Sequence, residues 1–224
     1  NNMKKIEDDS VKNLVLQGPP GTGKTRLAKQ LALYLQTPDA SLTSYLTDDG
    51  IRLKNSVFAR DPVIERHHEK IRIVQFHPGY TYEDFIRGLV SETNDQGQIA
   101  YRVQDKILME IVKRANENEN DKYILIIDEM NRANLPVVLG ELIYALEYRG
   151  EPVQGLYKDP ATGSSEISLP PNLYIIGTMN TADRSIGHID YAIRRRFVFR
   201  DISSEITAVA DLGAKALYEA VEKL

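Results

Sequence analysis

The chain has 224 residues, 42% of them hydrophobic and 27% charged, with a formal net charge of -4. That composition suits one sizeable globular core, and it offers no basic excess for gripping duplex DNA, so any DNA contact is expected to run through another domain or partner. There is no cysteine, which excludes disulfides, thiolate metal sites and cysteine nucleophiles. No apolar run reaches membrane-spanning length, and the opening NNMKKIEDDS is too polar for a signal peptide, so a cytoplasmic setting without membrane contact is expected.

In chain order, NLVLQ (13–17) reads as a short buried strand, followed at once by GPPGTGKT. The next segment carries Leu27, Leu31, Tyr34 and Leu35 at helical spacing. Residues 37–70 are polar and broken by Pro38 and Gly50. IRIVQFH (71–77) predicts a second strand and YEDFIRGLV (82–90) a helix. SETNDQGQIAYRV predicts a hairpin turning near Asp95-Gln96-Gly97, with an amphipathic helix after it in QDKILMEIVKRANENEN. YILIID (123–128) is a continuous apolar run, the mark of a central parallel strand. LPVVLGELIYALE predicts one helix, and EPVQGLYKDPATGSSEISL a turn-rich hairpin excursion. NLYIIGTMN is another buried strand, IDYAIRRRF a short helix end, FVFRDI a last strand, and residues 205–224 a helix. Strands alternating with helices imply an α/β fold around a mostly parallel sheet.

Residues 18–25 match G-x-x-x-x-G-K-[ST] between a strand and a helix, the setting that motif requires. Gly18, Pro19, Pro20, Gly21, Thr22 and Gly23 form the loop. Gly21 and Gly23 permit dihedrals that turn successive N–H groups onto phosphates. The helix that follows adds its N-terminal dipole, and its Arg26 is expected among the nucleotide-binding residues together with the loop. Lys24 is expected to reach the β and γ phosphates, and Thr25 to offer its hydroxyl to Mg²⁺. Asp128, ending an apolar strand, is expected beside the loop at the sheet's carboxyl edge, holding Mg²⁺ largely through water. Glu129 is then placed to orient or deprotonate an attacking water.

The segment GTMNTADRS (177–185) poses a question, because N-T-A-D looks like the N-K-x-D with which GTPases grip guanine. Asn180 ends a buried strand, and a strand end beside the phosphate loop lies near the γ-phosphate, far from the base. The D-x-x-G that accompanies guanine readers is replaced by Asp128-Glu-Met-Asn131. Asn180 is therefore read as a phosphate sensor that polarises water with Glu129.

The phosphate loop, the Asp-Glu strand, the polar-tipped strand and the terminal arginine cluster together resemble an AAA+ module. More narrowly, FHPGYTYEDFIRG, IIDEMNRAN, GELIYALEYRGE and GTMNTADRSIGHIDYAIRRRF resemble the McrB-type GTPases of modified-cytosine restriction systems, over residues 14–200. The resemblance implies a P-loop AAA+ core with a parallel five-stranded sheet sandwiched by helices and carrying hairpin insertions. It implies a hexameric ring with nucleotide between neighbours, Asn180 as the sensor on its strand, and an arginine finger from RRRF, Arg195 first and Arg196 next. It tilts the substrate toward GTP, with ATP left open. It also implies an endonuclease subunit as partner and DNA engaged through a domain or partner not in this chain. Asn131, Arg132, Asp183 and Arg184 match the pattern too, either coupling subunits or pairing within one. The helical lid that such cores carry is expected to be mostly absent, so the chain reads as a core over 1–201 and the start of a lid over 202–224. Two other functions stay open: an ATPase that remodels protein complexes, of MoxR or dynein-related type, and a nucleotide-gated scaffold with little turnover. His77, Tyr80 and Tyr82 are read as a packed strand-to-helix turn, and His67, His68 and His188 as surface or loop residues. The hairpin near Gly97 is read as a plain surface hairpin or a pore or partner contact.

Overall fold

A computed structural model describes residues 11–36, 46–47, 50–51, 69–93, 97–182 and 189–203. Its centre is a five-stranded sheet of β1 (Asn13–Gly18), β4 (Ile71–Gln75), β7 (Tyr123–Asp128), β10 (Leu173–Asn180) and β11 (Val198–Asp201), in the order β11-β1-β10-β7-β4. Every pairing in it is parallel, as continuous apolar runs dictate for strands covered on both faces. Short strands β2 (Leu46–Thr47) and β3 (Gly50–Ile51) pair separately.

Period-two alternation divides the sheet between two cores. Leu14, Leu16, Ile124, Ile126, Tyr174 and Ile176 face α1 (Lys24–Gln36), which buries Leu27, Ala28, Leu31 and Ala32 against them. Val15, Leu125, Ile127, Leu173 and Ile175 face the other way, onto α2 (Tyr82–Phe85), α3 (Ile107–Glu117), α4 (Leu135–Leu139), α5 (Leu142–Ala145) and the end of α6 (Tyr191–Arg194). Among the described residues, no helix is long and apolar enough to cross a membrane.

Two helix expectations are corrected. The helix expected over 82–90 stops at Phe85, and Arg87 already begins β5 (Arg87–Thr93), which pairs antiparallel with β6 (Ile99–Asp105). The hairpin is therefore longer than the sequence suggested. The reason lies in Arg87, whose buried guanidinium donates to Asp105 Oδ1 at 2.6 Å and Asp159 Oδ2 at 2.8 Å. A helical course would point it elsewhere and leave two carboxylates without it. The helix expected over 135–147 is two pieces, α4 and α5, because Gly140 adopts φ 49°, ψ -127°, outside the helical region. The excursion after it forms a small hairpin, β8 (Val153–Gln154) with β9 (Glu166–Ile167). At the strand-to-helix turn, Phe76 stacks on Tyr80 at 4.7 Å and His77 meets Tyr80 edge-on at 5.4 Å, the packed turn that was read there. The helix expected over 205–224, and Asp183, Arg184, His67, His68 and His188, lie outside the described residues.

The Arg87 network ties both hairpins to the core. Lys113 of α3 joins it, bridging Asp105 and Asp159, the latter at 3.1 Å. Burial alone would push the Asp159 carboxyl up; N–H bonds from Thr162 and Ala161 and the Lys113 charge outweigh burial and hold it down to about 2. Removing Arg87 takes from Asp105 and Asp159 the buried cation between them and leaves Asp159 with its N–H bonds and the half-exposed Lys113. Arg87→Ala is expected to cost about 3–5 kcal/mol, lowering the Tm by on the order of 10 °C for a domain of this size. Paired thermal melts check it, and an unchanged Tm would show the network to be dispensable.

Candidate nucleotide site

The loop from Gly18 to Gly23 crests over the carboxyl edge of β1. Gly21 and Gly23 take φ of 81° and 80°, a region costly for residues with a Cβ. Pro19, Pro20 and Gly21 are exposed, whereas Thr22 and Lys24 are buried. The Thr22 hydroxyl donates to Pro19 O at 3.0 Å and closes the loop on itself. Lys24 Nζ donates to Pro19 O at 2.5 Å. Burial lowers the Lys24 pKa, and the charges of Asp128 and Glu129 pull it partway back. The ammonium is thus stored within the loop, against carbonyl oxygen and near two carboxylates. Arg26 sits half-buried in the first turn of α1.

Long-range pairing brings the other candidates to this edge. In the register of β1 on β10, Gly18 stands opposite Asn180, and Thr181 N donates to Gly18 O at 3.1 Å. On the far side of β10, β7 delivers Asp128. Asp128 Oδ1 accepts from Thr25 Oγ1 at 2.7 Å, so the last residue of the loop motif and the strand-end carboxylate are in direct contact. Asp128 Oδ1 also accepts from Thr178 Oγ1 at 2.6 Å, while Thr178 Oγ1 accepts from the Glu129 N–H at 3.0 Å. Thr178 escaped the sequence reading. The signal was its place two residues before Asn180, hence on the same side of the strand.

Glu129 is the one non-glycine residue with positive φ among the described residues, at 51°. A single strained residue at a strand end is a feature of functional sites. It turns the chain abruptly into the Met130–Arg132 turn and throws the carboxylate sideways. Its Oε1 accepts from Asn180 Nδ2 at 3.3 Å and its Oε2 from Arg132 at 2.8 Å. Asn131 donates to Asn180 O at 3.0 Å. Both Asn131 and Arg132 thus bond to groups of this candidate site.

The arginines lie elsewhere. β11 runs parallel to β1, and α6 precedes it, so Arg195 and Arg196 sit at the amino edge of the sheet. Asn13, the first residue of β1, donates to Arg196 O at 2.9 Å. The length of β1, roughly 16 Å at 3.3 Å per residue, separates this edge from the chain's own phosphate loop. Arg195 is 52% exposed, whereas the Arg196 side chain is only 7% exposed and bonded to Glu147 at 2.8 Å.

Comparison with known proteins places this arrangement. Residues 61–197 match the AAA domain family, dynein-related subfamily. The chain is similar to the Type IV methyl-directed restriction enzyme EcoKMcrB subunit of Escherichia coli strain K12, with 39% identity over 193 residues, covering 85% of this chain and 35% of that protein. It is similar to the Type II restriction enzyme BsuMI component YdiS of Bacillus subtilis strain 168, with 25% identity over 87% of this chain and 58% of that protein. It is also similar to spastin of Drosophila mojavensis, with 30% identity over 51% of this chain and 14% of that protein. The chain thus spans about a third of the first relative and just over half of the second. With its family match, its strand order and its loop-to-carboxylate contact, the chain is a P-loop NTPase belonging to the AAA domain family, dynein-related subfamily, and its AAA+ core is similar to that of the McrB subunit.

Proposed function

We propose that this chain is the nucleotide-hydrolysing core of a cytoplasmic, ring-forming AAA+ motor in a McrB-like restriction complex, with residues 1–201 as the core and 202–224 as the start of a lid. It hydrolyses GTP or ATP, and the ring moves DNA for a partner endonuclease. The observation that carries the chemistry is the meeting of Thr25, Asp128, Glu129 and Asn180 beside the phosphate loop.

In this reading the loop N–H groups and the Lys24 ammonium bind the phosphates, Lys24 exchanging Pro19 O for phosphate oxygen. Thr25 and Asp128 would hold Mg²⁺. One hydroxyl and one carboxylate are hard oxygen donors, which Mg²⁺ favours, and two protein ligands would leave room for water and phosphate. The ion, when bound, neutralises charge on the β and γ oxygens. Thr178 fixes Asp128 by donating to the same carboxylate and restrains Glu129 through its N–H. Glu129 accepts the proton of the attacking water, and Asn180 orients that water from the adjacent strand. Asn180 therefore works at the phosphate end, and the N-T-A-D spelling is not a base clamp. Arg195, at the opposite sheet edge, reaches no nucleotide of its own chain, which fits a finger acting on a neighbour's γ-phosphate, with Arg196 as its buried support.

The test is turnover and binding by the full-length protein with GTP and with ATP, each with Mg²⁺. One nucleotide is expected to be hydrolysed and preferred in binding, and Lys24→Ala is expected to weaken that binding by an order of magnitude or more, the effect of losing a charge-assisted phosphate contact. Hydrolysis of neither nucleotide by the assembled protein overturns the enzymatic reading. Turnover that the endonuclease subunit leaves unchanged counts against the restriction complex.

A further inference from the structure

Glu147 follows α5 and receives both arginines of the RRRF run that the family resemblance offers as fingers. Its Oε2 lies 2.8 Å from Arg196 NH2 and 3.3 Å from Arg195 NH2. The two contacts differ in kind. Arg196 is buried and also donates to Ala192 O at 2.5 Å, so its guanidinium has two fixed acceptors. Among the described residues, Arg195 has the longer, exposed contact alone, of the type that contributes little stability. Adjacent guanidinium groups repel, and one carboxylate shared between them compensates both.

The backbone beneath is fixed as well. Asn13 Nδ2 donates to Leu146 O at 3.1 Å and to Arg196 O at 2.9 Å, the carbonyls next to the two charged partners. Asn13 Oδ1 accepts from Arg149 NH2 at 2.5 Å, and Arg149 NH1 donates to Leu173 O at 2.8 Å. The end of α5, the end of α6 and the starts of β1 and β10 therefore form one hydrogen-bonded block. Glu147 stands on that block with its carboxylate toward the α6 terminus.

We propose that Glu147 is a positioning residue for Arg195: held in place by Arg196, it aims the exposed guanidinium outward and yields it to a neighbour's triphosphate. The inference rests on the reading that Arg195 acts on another copy's nucleotide, and it adds the group that makes Arg195 pre-organised. A side chain with four rotatable bonds loses much of its reach-time unless a partner fixes it, and small misplacements at a reacting phosphate are costly in rate. The weak bond to Glu147 is cheap to surrender; the strong one to Arg196 persists and keeps the carboxylate from following.

The experiment measures kcat and KM for GTP and for ATP, with Mg²⁺, on the full-length assembled protein. Glu147→Ala is expected to lower kcat roughly 10- to 100-fold with little change in KM, and Glu147→Asp to recover part of the loss. In an Arg195→Ala background, Glu147→Ala is expected to add no further loss. Mixing Glu147→Ala with Lys24→Ala subunits, whose own Glu147 and Arg195 are intact, is expected to regain turnover, while mixing it with Arg195→Ala subunits is not. Glu147→Gln, which keeps the shape and an acceptor oxygen, carries the same test if the alanine variant melts early. If Arg195→Ala lowers kcat but neither Glu147→Ala nor Glu147→Gln does, the positioning role is overturned and the reading of Arg195 stands. If Arg195→Ala leaves kcat intact, that reading falls and this inference with it. A raised kcat in Glu147→Ala, or losses that multiply independently in the double variant, also overturns it.

Discussion

Arg195→Ala is expected to lower the turnover of the assembled protein by about 10³- to 10⁵-fold, the range an arginine finger supplies in other NTPases, while binding of nucleotide to each subunit is retained. The geometry sets the direction of the effect. Arg195 stands at the amino edge of the sheet, anchored through the Asn13 bond to the Arg196 carbonyl, and the phosphate loop stands at the carboxyl edge of the same strand. No side chain spans that length, so the variant is expected to leave its own nucleotide site whole and, under the proposed trans role, to damage the one next to it. Subunits carrying Arg195→Ala and subunits carrying Lys24→Ala are each deficient for a different reason. Mixed, they are expected to create boundaries at which an intact arginine faces an intact loop, with turnover returning in proportion to such boundaries. Absence of recovery at every mixing ratio would remove the trans assignment. The structure also separates the two arginines: Arg196 is buried and twice bonded, so Arg196→Ala is expected to act partly through stability and Arg195→Ala through rate.

The second large effect is on Glu129. Glu129→Gln is expected to retain nucleotide and to slow turnover by roughly 10²- to 10⁴-fold, the usual contribution of a positioned general base. The substitution keeps the side-chain shape and an oxygen for the Asn180 amide, which lies 3.3 Å from Glu129 Oε1. What it removes is the negative charge that can take a proton from water, along with the ion pair to Arg132. Loss of that exposed pair costs little stability, so the effect should be kinetic. Equal hydrolysis by the variant and the wild type in a single-turnover assay would exclude Glu129 as the base and leave the strained φ of 51° without a catalytic reason.

The sequence made legible whatever depends on neighbours along the chain. The loop motif demands glycines at 21 and 23 and a lysine next to a threonine, all local requirements, and both glycines carry the positive φ that the motif needs. Unbroken apolar runs at 123–127 and 173–176 called for buried parallel strands, and alternation along each then decided which residues face α1 and which face α3. The strand ends at Asp128 and Asn180 followed from the same runs. The resemblance identifies the family from the chain alone, because its motifs are chemical and short.

Only the tertiary structure decided what depends on register between strands far apart in sequence. Thr178 donates to Asp128 because β10 lies between β1 and β7, an order that no spacing within one segment encodes. Arg87 ends a helix early because its acceptors sit 18 and 72 residues away, and leaving a buried guanidinium without its carboxylates would cost more than the helical preference of the five residues 86–90. Glu147 and the arginine pair meet across 48 residues, on a block assembled by Asn13. Local chemistry along the chain thus marked the loop, the strand-end carboxylates and Asn180 as the candidate nucleotide residues. Long-range pairing settled which groups hold those residues still, and that Arg195 faces away from its own site.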